Sequence, residues 1–185
     1  MIDSFRGKYY FLSNFYMAPI TFDGITYQNN EAAFQAQKVF GEERLQFANI
    51  SPNEAKKLGR KVTLRSDWEE VKESLMEEIV RAKFKQNPDL MEKLIDTKDE
   101  KLIEGNTWGD RTWGVVNGQG LNLLGKILMK VRDEELSMRY PHDFFYDLHD
   151  KDTSFLRESN FPFHCELVSL ESLVGDNKDT FLERD

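Results

Sequence analysis

DWEEVKESLMEEIVRAKFKQNP, residues 67–88, carries the pattern that decides the fold. Trp68, Val71, Leu75, Ile79 and Ala82 recur at three- and four-residue steps, the spacing that gathers side chains on one face of an α-helix. Ser66 or Asp67 stands where a cap accepts the first free N–H groups. Asn87-Pro88 stops the run, because proline lacks a backbone donor and disfavours helical geometry in the residue before it. One long helix is predicted, with an apolar face that other elements must cover.

Those elements read outward on both sides. Upstream, Ser51-Pro-Asn-Glu54 forms a capping box that opens a helix to about Gly59, and Asn29 or Asn30 caps another from about 31 to 40. Before them, APITFDGITY (18–27) alternates apolar and polar residues around Asp23-Gly24, the signature of two short strands joined by a tight turn. Downstream, a short helix is predicted over 89–96. A last one starts near Leu121, with Leu124, Ile127, Leu128 and Val131 as its buried stripe. The fold class is mainly α, a compact helical domain with a small N-terminal β element.

The 185 residues suit one domain, and 39% hydrophobic with 31% charged residues is an ordinary soluble composition. No apolar run approaches the roughly 20 residues of a membrane span, so no membrane partner is expected. The N-terminal MIDSFRGKYYF lacks a basic-then-apolar secretion signal, and a single cysteine, Cys165, agrees with a reducing compartment; the expected location is cytoplasmic. The net charge of -8 is uneven. Residues 141–185 hold eleven acids against four bases, whereas residues 1–140 are nearly neutral, at 22 against 21. We therefore expect a main domain over 1–140 and an acidic, aromatic-containing C-terminal extension over 141–185 packed on it, with 174–185 frayed. Without a basic surface, broad attraction to a nucleic acid backbone is not expected, and any contact with DNA or RNA is local. The sequence sets no oligomeric state.

The distribution of reactive residues narrows the chemistry. His142, His149, His164 and Cys165 all lie beyond residue 140. A Ser-His-Asp or Cys-His nucleophile within the main domain is thereby excluded, and a zinc site there would lack both of its commonest ligands. No metal and no cofactor are expected. What remains is carboxylates, amides, lysines and aromatics, the inventory of a glycoside-type hydrolysis.

Two segments concentrate that inventory. In NNEAAFQAQKVF (29–40), an ideal helix turns about 100° per residue, which brings Glu31, Gln35 and Lys38 to one face and Ala33, Ala36 and Phe40 to the other. On spacing alone this is equally the solvated side of an amphipathic helix. In EGNTWGDRTWGVVNGQGLNLLG (104–125), five glycines precede the last helix. Such a loop can bring backbone close to a ligand and offer helix-start amides to a phosphate, or it can be a tight connection whose Trp108 and Trp113 plug the core.

The set LSNFY (12–16), API..DG..Y (18–27), EAAFQAQK (31–38), W..V...LM...RAKF (68–84) and NTWGD..WG...GQGLN.LG..LM.VR (106–132) resembles the YbiA-like, or NADAR, family of N-glycosidases. The likeness covers residues 4–136, in order, and not the extension. It implies a mainly helical YbiA-like fold and hydrolysis of N-ribosidic bonds, either in early riboflavin-pathway intermediates or between ADP-ribose and the amino group of guanine in nucleic acids. It implies Glu31 as the catalytic glutamate and Lys38 as the lysine of the same motif. Trp68 and Trp113 match the pocket tryptophans, and Asp110 the acid just before the second. Ser13, Asn14 and Phe15 match the SNF segment, and Gly118, Gly120 and Asn122 the glycine loop; Gln35 and Trp108 complete the expected substrate contacts. Ala32 stands where some relatives have a histidine after the glutamate.

In the chemistry these groups allow, an ionised Glu31 stabilises positive charge at ribose C1' and orients water. Lys38 lowers the Glu31 pKa, bonds the substrate, or attacks C1' as a neutral amine. The substrate partner is ADP-ribose or a phosphoribosyl group, with ADP-ribosylated DNA or RNA first, since the paired NTWGD..WG form is closer to the de-ADP-ribosylating members. Riboflavin intermediates come second. A non-catalytic ADP-ribose binding module is third, because a pure reader needs neither Glu31 nor Lys38.

Overall fold

The computed structural model describes residues 1–140; the extension expected over 141–185 lies outside the described residues. A 3-10 helix at Gly7–Leu12 leads into strands β1 (Met17–Phe22) and β2 (Ile25–Asn29), followed by helix α1 (Asn30–Ala36) and a second 3-10 helix, Gly41–Phe47. Helices α2 (Pro52–Leu58), α3 (Trp68–Gln86), α4 (Pro88–Ile95) and α5 (Leu123–Arg139) complete the domain. The mainly α architecture with a two-stranded sheet is the expected one.

The strands pair antiparallel as Ile20 with Tyr27, Thr21 with Thr26 and Phe22 with Ile25. Asp23 and Gly24 both take positive φ, 48° and 77°, at the tight turn between them, whose twist suits the flanking strands. α3 lies at the centre, packed against β1, α1, α4 and α5. Having partners on several sides, it buries Met76, Ile79, Val80 and Phe84 beside Trp68, while Val71, Leu75 and Ala82 of the expected stripe are only partly buried. On α5, Leu124, Leu128 and Val131 face inward as expected, with Ile127 partly covered.

The helix ends follow local chemistry. Ser51 and Glu54 form the expected capping box at α2. Asp67 precedes α3 without capping it, because both carboxylate oxygens accept from Arg65, at 2.6 and 2.7 Å. α1 stops at Ala36, four residues earlier than the spacing predicts. The amides of Lys38 and Val39 bond the carbonyls three residues back, Gln35 and Ala36, so the chain tightens into a turn before Gly41 reverses it at φ 59°.

One buried polar link joins the N-terminal segment to the core. Lys83 on α3, 1% exposed, donates from Nζ to the carbonyls of Phe11 (2.6 Å) and Ser13 (2.9 Å), with the rings of Tyr16 and Phe84 each 5.4 Å away. It fixes the chain where Ser13-Asn14-Phe15 begins.

No described helix is long and apolar enough to cross a membrane.

Candidate active site

A cavity of about 540 Å³ opens between the SNF segment, α1, α2 and the loop leading to α5. Glu31 enters it from the first turn of α1. Asn29 caps that helix by accepting from the Ala32 amide at 2.8 Å, and the Glu31 amide donates to the Asn14 carbonyl at 3.0 Å, which locks the turn to the SNF segment. The side chain is 7% exposed. Its Oε1 accepts from Gln35 Nε2 at 2.8 Å, one helical turn on. Gln35 is itself seated over Gly59, where a Cβ would fall 1.9 Å from its Oε1, so glycine is what leaves room for the bond to Glu31. Burial raises the Glu31 pKa. Gln35, Lys56 and Lys38 oppose the shift, and the Asp110 carboxylate adds to it.

The walls are aromatic. Phe34 sits between Trp68 (centroids 5.1 Å) and Trp113 (5.3 Å, nearly edge to face). Phe34 and Trp113 line the cavity; Trp68, 6% exposed, lies behind Phe34 and does not. Trp68, matched above to a pocket tryptophan, thus braces Phe34 from behind. Trp108, 54% exposed, stands at the cavity with the Arg6 guanidinium 5.9 Å over its ring, so it does not plug the core.

The remaining expected residues divide in the same way. Ser13, Asn14, Phe15 and Asp110 line the cavity. Asp110 Oδ1 accepts from the amides of Thr112 (3.0 Å) and Trp113 (2.9 Å), a turn that orients the Trp113 ring, and Asn106 brackets the loop by accepting from the Asp110 amide and donating to its carbonyl. Lys38 does not line the cavity. The early end of α1 turns its Nζ to the Gly59 carbonyl, at 3.0 Å, and 5.7 Å over the Trp68 ring; burial lowers its pKa.

The glycine loop needs correction as a phosphate site. Gly118, Gly120 and Asn122 do not line the cavity. The amides of Leu121, Leu123 and Leu124 donate to the carbonyls of Arg111, Thr112 and Trp113, so the donors expected at the helix start are already used. Asn122, at φ 53°, turns its side chain inward, accepting from the Glu104 amide (3.0 Å) and donating to the Leu102 carbonyl (2.9 Å). Gly118 takes φ +76° in the turn from Val116 to Gln119. At Gly120 a Cβ would meet the Gly114 carbonyl at 2.2 Å.

Sequence reading missed the cations and one carboxylate. Asn53, Lys56 and Arg60 line the cavity from α2 and just beyond it, a polar stripe at i, i+3 and i+7 in SPNEAKKLGR that spacing alone could have revealed. Arg6 and Tyr10 line it from the N-terminal side. Glu104, two residues after the buried Leu102, lines it too, and burial with the nearby Asp110 charge raises its carboxyl to about 7.

The comparisons with known proteins meet this geometry. Residues 3–136 match the NADAR domain. The chain belongs to the NADAR family. The N-glycosidase YbiA of Shigella flexneri is 42% identical over 127 residues, 66% of this chain and 79% of that protein. A riboflavin biosynthesis protein of Vibrio vulnificus is 39% identical over 139 residues, 72% of this chain and 37% of that protein. The NMR structure of Escherichia coli YbiA superposes with a TM-score of 0.66 at 37% identity, over 77% of this chain and 90% of that one. This NADAR chain is thus an enzyme of the N-glycosidase class, a hydrolase acting on N-glycosyl compounds.

Proposed function

We propose that the cavity hydrolyses the N-ribosidic bond of a phosphorylated riboside, with ADP-ribose on the guanine amino group of DNA or RNA as its first substrate. The observation that carries this reading is the juxtaposition of the Glu31 carboxylate with three cations, Arg6, Lys56 and Arg60, in one cavity walled by Phe34 and Trp113. As the C1'–N bond stretches, positive charge develops on the ribose ring. The Glu31 carboxylate, oriented by Gln35, stabilises that charge and accepts a proton from the attacking water. Lys38 acts on Glu31 through its charge, which favours the ionised form. Asp110 holds Trp113 and adds negative potential.

Three cations suit a diphosphate better than a lone phosphate, because each can meet separate oxygens. The exposed Trp108 offers a face on which a base still attached to a strand can stack. These features favour the ADP-ribosyl substrate. Riboflavin-pathway intermediates are the second reading, supported by the names of relatives in Vibrio vulnificus and maize. A purely binding role would leave a buried carboxylate, with its desolvation cost, without a use. A cytoplasmic setting accords with the single cysteine.

The test incubates the protein with an ADP-ribosylated guanine oligonucleotide and, separately, with the riboflavin intermediates, following release by mass spectrometry. Liberation of ADP-ribose with unmodified guanine is the expected result. Cleavage of the riboflavin intermediates alone would transfer the site to the second reading.

A further inference from the structure

We propose that Glu104 is the general acid of this reaction: it lines the cavity with Glu31 and Asp110 and delivers the proton that the leaving nitrogen needs. The inference rests on the N-ribosidase reading above and adds to it the half of the chemistry that Glu31 does not perform. An exocyclic or ring nitrogen leaves poorly as an anion, so a site that only activates water does half of the work.

Glu104 is built into the cavity wall rather than carried on a mobile surface loop. Its amide donates to Asn122 Oδ1 (3.0 Å), and its carbonyl accepts from the Val115 amide (2.9 Å). At Gly114 a Cβ would lie 2.3 Å from that carbonyl and 3.1 Å from the Glu104 Cγ, so the glycine leaves the side chain its place. The carboxyl has no hydrogen-bonded cation to hold it ionised; Oε2 is buried with no partner among the described residues. The charged groups acting on it are Asp110, which favours the neutral acid, and Arg6 and Lys56, which favour the carboxylate. Burial outweighs them and sets the carboxyl to about 7. At neutral pH a large share of the molecules therefore hold a proton on a carboxyl in the same cavity as Glu31, whose own pKa burial raises against the opposing pull of Gln35, Lys56 and Lys38. The unpartnered Glu104 carboxyl is then placed to give a proton, and Glu31, oriented by Gln35, to accept one.

The step balances. The Glu104 proton bonds the leaving nitrogen as the C1'–N pair departs with it; water oxygen bonds C1', and its proton passes to Glu31. The products are the free amine of the base and the hydroxyl form of the sugar, and solvent returns each carboxyl to its starting state.

The experiment measures kcat for the wild type and Glu104→Gln on two substrates. One is the N-riboside that the wild type cleaves; the other is a ribosyl 5-phosphate carrying 4-nitrophenolate, a leaving group that departs without protonation. We expect the variant to lose roughly 10²-fold on the N-riboside and less than about 5-fold on the nitrophenyl compound. We also expect it to lose the alkaline fall in kcat, which for an obligatory acid appears as pH rises through about 7. Equal losses on both substrates, or an alkaline limb that stays in place, would overturn the role of Glu104 and leave the site reading standing. A wild type inactive on every N-riboside overturns both. Near-UV circular dichroism checks that the substitution leaves the fold unchanged, and Glu104→Asp, which keeps the acid, retains the alkaline limb.

Discussion

Glu31→Gln slows hydrolysis by about 10³-fold and leaves the protein folded, because the substitution removes one charge and no volume. The amide can still bond Gln35 and fill the space below the SNF segment, but it can neither accept the water proton nor oppose the positive charge growing at C1'. The pH profile reports the same group. Burial raises the Glu31 pKa, so wild-type activity climbs with pH through a value above the ordinary carboxylate range, and the variant has no such acid limb. Stability moves the opposite way. A carboxylate whose folded pKa is raised costs the native state nothing below its unfolded pKa and destabilises it progressively as pH rises through the folded value. Glu31→Gln therefore melts higher than wild type at pH 8 and matches it at pH 4. A variant of unchanged kcat, or one destabilised at pH 8, would remove Glu31 from the chemistry.

Lys83→Met is the substitution expected to cost most stability, about 3 kcal/mol at pH 8, read from urea unfolding. Methionine fills the volume but leaves the carbonyls of Phe11 and Ser13 buried without donors, at roughly 1–3 kcal/mol each. Burial pushes the lysine down to about 7, so above that pH the amine is mostly neutral and its two hydrogens match the two carbonyls. The sign follows. A lowered lysine pKa means that the cost of burying the charged form is absent above the unfolded value of about 10.5 and grows as pH falls toward 7. The gap between wild type and variant therefore widens from pH 7 to pH 9. Because those carbonyls anchor Ser13-Asn14-Phe15 at the cavity, the variant also shows a raised KM. Equal unfolding midpoints at pH 8 would mean that the carbonyls find other donors.

How much of this was legible in the sequence varied with the range of the interaction. The hairpin at Asp23-Gly24, the capping box at Ser51 and Glu54, and the stop at Asn87-Pro88 all depend on a few adjacent residues, and they formed where they were read. Glu31, Gln35 and Lys38 share a face only while the helix continues. It ends at Ala36, so the third was redirected to Gly59 by a backbone tightening that periodicity cannot register. Glycine spacing before α5 suggested an anion cradle, but whether helix-start amides are free depends on which carbonyls fold over them, and those of residues 111–113 do. Trp68, matched to a pocket tryptophan but also part of the apolar helical stripe, lies hidden behind Phe34, and Trp108 stands exposed at the cavity rather than plugging the core, because chain position does not fix depth. Glu104 escaped notice because its significance lies in burial and in the field of Asp110, and neither is a property of the local sequence.

The most direct measurement is a crystal structure of the Glu31→Gln protein with ADP-ribose bound. The account predicts the diphosphate among Arg6, Lys56 and Arg60 and the anomeric carbon within about 4 Å of the side chain at position 31, the reach of a near-attack arrangement. An anomeric carbon held instead at the outer rim by Trp108, or a ligand seated outside the cavity, would contradict it.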